Sequence, residues 1–76
     1  MKITGTRSYI IVELWGKELK IQGELTLTPA FYASKSSIKN WEVPFHEVEI
    51  SEIEKAEIIQ EIELHNNPEF KIIFED

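Results

Sequence analysis

Apolar and polar residues alternate between positions 9 and 28, and this pattern limits the fold more than any other feature of the chain. Between positions 18 and 28 the apolar members are Leu19, Ile21, Leu25 and Leu27. Because successive side chains of a β-strand point to opposite faces, one face of this strand is predicted to be buried and the other wet. Gly23 stands where an inward apolar residue is due and predicts a bend or bulge.

The segment before it has the same alternation and predicts a partner strand. Ile10, Val12 and Leu14 fall on the face predicted to be buried. Gly16 and Lys17 are the predicted hairpin turn between the two strands, although this pair is a weaker turn signal than Asn-Gly.

The spacing of apolar residues becomes helical after Ser51. Ser51 and Glu54 match a capping box, in which the first hydroxyl accepts a hydrogen bond from the third helical amide. A helix is therefore predicted over 51–65, ended by the proline at position 68. The residues predicted to form its buried stripe are Ile53, Ala56, Ile58, Ile59 and Ile62.

These elements predict an α+β fold in one domain spanning residues 1–76. Further strands are predicted at 30–34 and 70–74, with a short segment at 38–41. The expected architecture is a small, mainly antiparallel sheet of four to five strands with one helix packed on it, in the order β-β-β-(β)-α-β. The chain has no cysteine, so neither a disulfide nor a thiolate metal site contributes to its stability.

The negative charge of the chain is concentrated in residues 42–63. The whole chain has a formal net charge of −6, but residues 1–41 hold six basic residues and three glutamates, a net charge of +3. Residues 42–63 hold one lysine and eight glutamates, a net charge of −7. A localised acidic surface indicates a cationic partner. Direct binding of nucleic acid is not expected, because phosphate contacts need clustered Lys and Arg.

The sequence lacks the motifs of an enzyme. It has no glycine-rich phosphate loop, nucleophile elbow or metal-ligand spacing, so no catalysis, cofactor or small-molecule substrate is expected. His46 has acidic neighbours suited to a metal, but a solvent-facing histidine in an acidic loop is the favoured interpretation. The longest uncharged apolar run, residues 9–12, is far shorter than the roughly 20 residues that cross a membrane. A cytoplasmic protein without membrane association is predicted.

Six residues are the candidates for binding a partner. They are Glu47, Glu49, Glu54, Glu57, Glu61 and Trp15. The three helical glutamates are expected to project away from the buried stripe, where like charges at these spacings disfavour the helix. A solvated face that serves solubility is the alternative interpretation. Trp15, at the expected hairpin tip, is either a core residue or an apolar anchor for a partner; Trp41 is predicted to be a core anchor.

Short motifs spread over residues 7–63 resemble those of one known family. They lie at 8–10, 16–24, 31–33, 35–38, 41–44 and 50–52, with 54–55 and 58–59 inside the helix. They are similar to the immunity protein 74 family, small α+β proteins associated with polymorphic-toxin and contact-dependent inhibition systems. The Trp-Glu-Val-Pro motif before an acidic helix is the most specific. The chain departs from the family pattern at two places. Val43 stands where the family often has a second proline, and residues 45–49 stand where the family has a shorter turn.

The resemblance implies an inhibitor that neutralises a cognate toxin by binding it, and it supplies no catalytic residues. Many such toxins are nucleases whose clefts carry Lys and Arg to hold phosphate, and an acidic surface complements such a cleft. Two alternatives remain at this point. One is an acidic structural or regulatory subunit, and the other is a nucleic-acid-mimicking inhibitor of another basic protein.

Overall fold

The computed structural model describes residues 1–27, 29–66 and 70–75, and its elements follow the predicted α+β order. The strands are β1 (Lys2–Gly5), β2 (Tyr9–Leu14), β3 (Lys17–Leu25), β4 (Ala30–Ser34) and β5 (Lys71–Glu75). A 3-10 turn, Lys35–Ser37, follows β4, and the helix α1 (Glu52–Leu64) lies between that turn and β5. The proline at position 68, which was predicted to end the helix, lies outside the described residues.

The strands form one mixed sheet in the order β1-β2-β3-β4-β5. Neighbours are antiparallel from β1 to β4, whereas β5 runs parallel to β4. The parallel pairing follows from the helical crossover, because strands joined through a helix on one face return in the same direction. The predicted fold class is confirmed. The sequence predicted three strands before the helix and a possible further one at 38–41. The structure has a further strand, but it is β1, at the start of the chain. Residues 38–41 contribute only an isolated bridge between Asn40 and Glu49.

The core lies between α1 and one face of the sheet. Its buried members are Ile10, Val12, Leu14, Leu19, Ile21, Phe31, Ala33, Ile38, Trp41, Ile50, Ile58, Ile62 and Ile72. The alternation in β2 and in the first half of β3 therefore predicted the inward face correctly. Along the described parts of the chain, no helix has the length and apolar character that a membrane span requires.

The helix begins where the capping box predicted, but it buries only part of the predicted stripe. The backbone N–H of Glu54 donates to the Ser51 hydroxyl at 3.1 Å, which confirms the N-cap. Ile58 and Ile62 are buried, whereas Ile53 is 76% exposed. The buried stripe predicted to include Ile53 and Ala56 is wrong at both positions, since Ala56 is also exposed. Apolar residues occur on several sides of α1, so spacing alone does not select the face that meets the sheet.

Gly23 stands where β3 changes partners. Residues 17–22 of β3 pair with β2, and residues 23–25 pair with β4. A Cβ atom at Gly23 would collide with the backbone oxygen of Tyr32 and lie 2.6 Å from Cε1 of the buried Phe31 ring. The glycine therefore permits the Phe31 ring to pack directly against the strand.

Candidate functional site

The turn between β2 and β3 holds an exposed tryptophan in an unusual backbone conformation. Trp15 and Gly16 have φ values of 54° and 75°, and Leu14 pairs with Lys17 across the turn. Positive φ at both central residues of a two-residue loop defines a type I′ hairpin. The turn predicted at Gly16 and Lys17 is therefore displaced by one residue. Left-handed conformation costs a residue with a Cβ about 1 kcal/mol, and tryptophan is rarely found there.

The Trp15 ring packs against the ring of Trp41, next to the turn. Its ring centroid lies 6.3 Å from that of Trp41, with the planes at 61°. Trp41 is 1% exposed, which confirms its predicted place in the core, whereas Trp15 is 49% exposed. The Lys17 Nζ lies 5.0 Å from the Trp41 centroid and 5.6 Å from that of Phe45. These four residues, Trp15, Lys17, Trp41 and Phe45, are called the aromatic cluster below.

A groove of about 800 Å³ separates the hairpin tip from the loop 42–48. Its lining residues are Met1, Lys2, Glu13, Leu14, Trp15, Gly16, Lys17, Glu18, Val43, Pro44 and Phe45. The loop is held against β3 because the Glu42 N–H donates to the Glu18 carbonyl at 2.8 Å. The Val43–Pro44 peptide bond is cis, and the Phe45 N–H donates to the Glu42 carbonyl at 2.9 Å. The groove thus has two hydrogen-bonded walls, and its lining combines apolar and aromatic residues with four charged ones.

The predicted acidic residues lie on the next part of the chain. Glu47 and Glu49 are exposed in the loop, which is tied back by the Ile50 N–H donating to the Lys39 carbonyl at 2.8 Å. The loop then leads directly into α1. Of the three helical glutamates, Glu57 is exposed as expected.

Glu54 and Glu61 are half-buried rather than fully outward. Both border the buried side of the helix, because Glu54 is one turn before Ile58 and Glu61 precedes Ile62. The prediction that all three helical glutamates oppose the buried stripe therefore holds only for Glu57. Glu54, Glu57 and Glu61 lie along one flank of α1. At a rise of 1.5 Å per residue, they span about 10 Å along the helix axis.

The carboxylates of this region are not neutralised by neighbouring cations. Within the described residues, no lysine, arginine or histidine nitrogen lies within 4.0 Å of the five candidate carboxylates, those of Glu47, Glu49, Glu54, Glu57 and Glu61. An ion pair is found elsewhere among these residues, between Lys2 and Glu13 at 4.0 Å. Nor does any group of three or more potential ligands in that part of the chain have the arrangement of a metal site. The region's negative potential is thus directed at solvent and at whatever binds there.

Trp15 is the one lining residue that was also a sequence-based candidate; the residues that were missed include Lys17, Val43 and Phe45. Val43 is apolar, yet it is 74% exposed in its loop. The signal in the sequence is the run Val43-Pro44-Phe45, which follows Glu42 and precedes His46 and Glu47. Polar residues are the norm at such positions of a surface loop, so an apolar run there indicates a binding surface. Recognising Lys17 requires the register of the hairpin, which pairs it with Leu14 directly after the turn.

The architecture is that of a small α+β protein with an exposed apolar groove beside an acidic loop and helix flank, a combination found on protein-binding surfaces. The chain belongs to the immunity protein 74 family, whose model matches residues 2–75. This match confirms the family resemblance and extends it to almost the whole chain. The family role is that of an immunity protein, which acts against a toxin. Comparison with curated proteins and with solved structures gave no match.

Proposed function

We propose that this protein neutralises its cognate toxin by stoichiometric, non-catalytic binding, and that the toxin offers a basic surface such as a nuclease cleft. The family assignment supports the toxin as partner. In this proposal the protein works in the cytoplasm of a bacterium with a polymorphic-toxin or contact-dependent inhibition system. No cofactor takes part.

The observation that carries the proposal is the unneutralised charge of residues 42–63. Eight glutamates and one lysine occupy this segment, and the described cations of the chain do not pair with its five candidate carboxylates. A patch of one sign steers an oppositely charged partner and raises the association rate, to about 10⁸–10⁹ M⁻¹s⁻¹ at low salt in favourable cases. An inhibitor that must capture a toxin before it acts benefits from such a rate.

The size of the molecule makes one face sufficient. The accessible surface is 5216 Å². A standard protein–protein interface takes about 800 Å² from each partner, which is roughly a sixth of that surface. The loop 45–50 and the adjoining flank of α1 form a continuous stretch of chain suited to this footprint, with Trp15 as a neighbouring apolar contact.

The proposal is tested with the cognate toxin, which we expect to be encoded by the reading frame directly upstream of the gene. The double variant Glu57→Gln/Glu61→Gln is compared with Glu24→Gln/Glu75→Gln, which changes the net charge equally on exposed strand positions. We expect roughly tenfold or greater loss of affinity at low salt for the helix variant, because each lost charge pair weakens both steering and binding. The difference should shrink at high salt, where screening removes it.

Two outcomes would contradict the proposal. Equal losses for both double variants would show that net charge acts without a footprint on α1. If wild-type protein neither binds this toxin nor rescues growth of cells that express it, the toxin is not the partner, and an acidic regulatory subunit becomes the better explanation.

A further inference from the structure

We infer that the groove between the β2–β3 turn and the loop 42–48 receives an apolar side chain of the toxin, with basic residues on either side of it reaching Glu47 and Glu49. This inference rests on the proposed function, because its occupant is the toxin. It adds a second, apolar contact that the acidic surface alone does not provide. Such contacts commonly supply most of the affinity, whereas exposed charges mainly set the association rate.

The apolar residues around the groove are contiguous rather than scattered. Met1, Trp15, Val43 and Phe45 all line it, and each is exposed. Single exposed apolar residues are normal on protein surfaces, but a contiguous patch marks a binding site. The patch is also concave and rich in aromatic rings, the setting in which tryptophan contributes most to protein–protein affinity.

The backbone of Trp15 is an independent indication of a binding role. The first central position of a type I′ turn favours Asn, Asp or Gly, and tryptophan at a φ of 54° carries a conformational cost there. Packing on Trp41 uses only part of the indole, because Trp15 remains 49% exposed. Residues held in costly backbone conformations concentrate at ligand-binding positions. The turn places the indole at the tip, beside the groove.

The walls of the groove are organised before anything binds. Lys17 lies over both the Trp41 and Phe45 rings, which fixes one wall through cation–π contacts. The hydrogen bond from Glu42 to Glu18 holds the other wall against β3. A preformed site loses little conformational freedom on binding, so more of the contact energy appears as affinity.

The charges around the groove select the flanks of the occupant. Two lysines in the lining are already engaged, Lys2 with Glu13 and Lys17 with the aromatic rings. The loop that forms the outer wall continues into the exposed Glu47 and Glu49, which pair with no described cation. An apolar side chain between arginines or lysines satisfies both features, whereas an acidic segment would be repelled.

The test uses Trp15→Asn and Trp15→Asp, because both residues suit the turn. Asn-Gly and Asp-Gly are the favoured type I′ pairs, so both variants should remain folded. We expect each to lose roughly thirtyfold or more in affinity for the upstream-encoded toxin, as for a central tryptophan contact. Leu27→Asn, a fully exposed loop position outside the groove, is the matched control and should bind like the wild type.

The aspartate variant separates apolar contact from charge. If the partner recognised negative charge alone, the added carboxylate at the groove would leave affinity unchanged or raise it. If the wild type and both Trp15 variants bind the toxin equally well, the groove is not a toxin-binding site, and the proposed function still holds. Absence of wild-type binding would overturn both. If sedimentation shows wild-type self-association that Trp15→Asn abolishes, the occupant is a second copy of this chain and the inference is wrong.

Discussion

Replacing Gly23 by alanine tests the close packing that joins the two halves of the sheet. An alanine Cβ would lie 2.6 Å from Cε1 and 2.9 Å from Cζ of Phe31, and it would also collide with the Tyr32 backbone oxygen. Real Cβ atoms essentially never approach heavy atoms within 3.0 Å. Phe31 is fully buried, and the Tyr32 oxygen belongs to the backbone of β4, which cannot turn aside as the end of a flexible side chain can. The strand pairing between β3 and β4 must therefore shift to admit the methyl group.

Two opposing effects set the size of the change in stability. Overpacking a filled core costs about 1–3 kcal/mol, and the upper end applies when backbone must move. Alanine is favoured over glycine inside a strand by about 0.5–1 kcal/mol through its lower conformational entropy. The net expectation for Gly23→Ala is a loss of about 2 kcal/mol. A chain of 76 residues has about 4–11 kcal/mol of stability, so the variant should still fold.

Urea denaturation followed by circular dichroism measures this loss directly. Gln22→Ala is the control, since its side chain is exposed on the other face of the same strand and its change should stay within about 0.5 kcal/mol. The sign is decisive for Gly23→Ala. A variant as stable as the wild type, or more stable, would show that Phe31 does not pack over Gly23 and that β3 and β4 pair differently.

Two further predictions concern α1 and the aromatic cluster. Glu57→Gln removes the like-charge repulsion with Glu54 (i−3) and Glu61 (i+4). We therefore expect the free energy of unfolding, followed by thermal melts, to rise by about 0.4–1 kcal/mol at low salt and by less at high salt. An unchanged melt would show that these charges do not interact. Trp41→Phe removes an indole N–H that has no hydrogen-bond partner among the described residues, which offsets part of the lost packing. We expect it to cost below about 1.5 kcal/mol in denaturation, against about 3–5 kcal/mol for Trp41→Ala; equal costs would refute this.

Local signals in the sequence were enough to predict β2 to β5 and the start of the helix, but not β1. The inward residues Ile10, Val12 and Leu19 follow from period-two alternation, and the Ser51 cap follows from hydrogen-bond chemistry within one turn. The buried side of α1 did not follow, because isoleucines occur on several sides of the helix. Only packing against the sheet selects Ile58 over Ile53.

The position of the hairpin turn shows a different limit of the sequence. A turn at Gly16 and Lys17 would place Leu14 opposite Leu19, while the observed turn places Val12 opposite Leu19. The two registers differ by two residues, so both keep the same side chains inward, and alternation does not distinguish them. The observed register depends on Trp15 accepting a positive φ, which its residue type does not favour. In this register Lys17 directly follows the turn, and its Nζ lies over the Trp41 and Phe45 rings.

The two candidate contact regions break local rules of stability, and that is the strongest physical argument for their function. Asparagine would suit the turn better than Trp15, and glutamine would relieve the repulsion at Glu57. The core accounts for neither residue in full, since Trp15 is 49% exposed and Glu57 lies at the surface. Departures from local preference without a structural gain are expected at functional sites. The substitutions that preserve or raise stability at these two positions should therefore be those that weaken binding of the toxin.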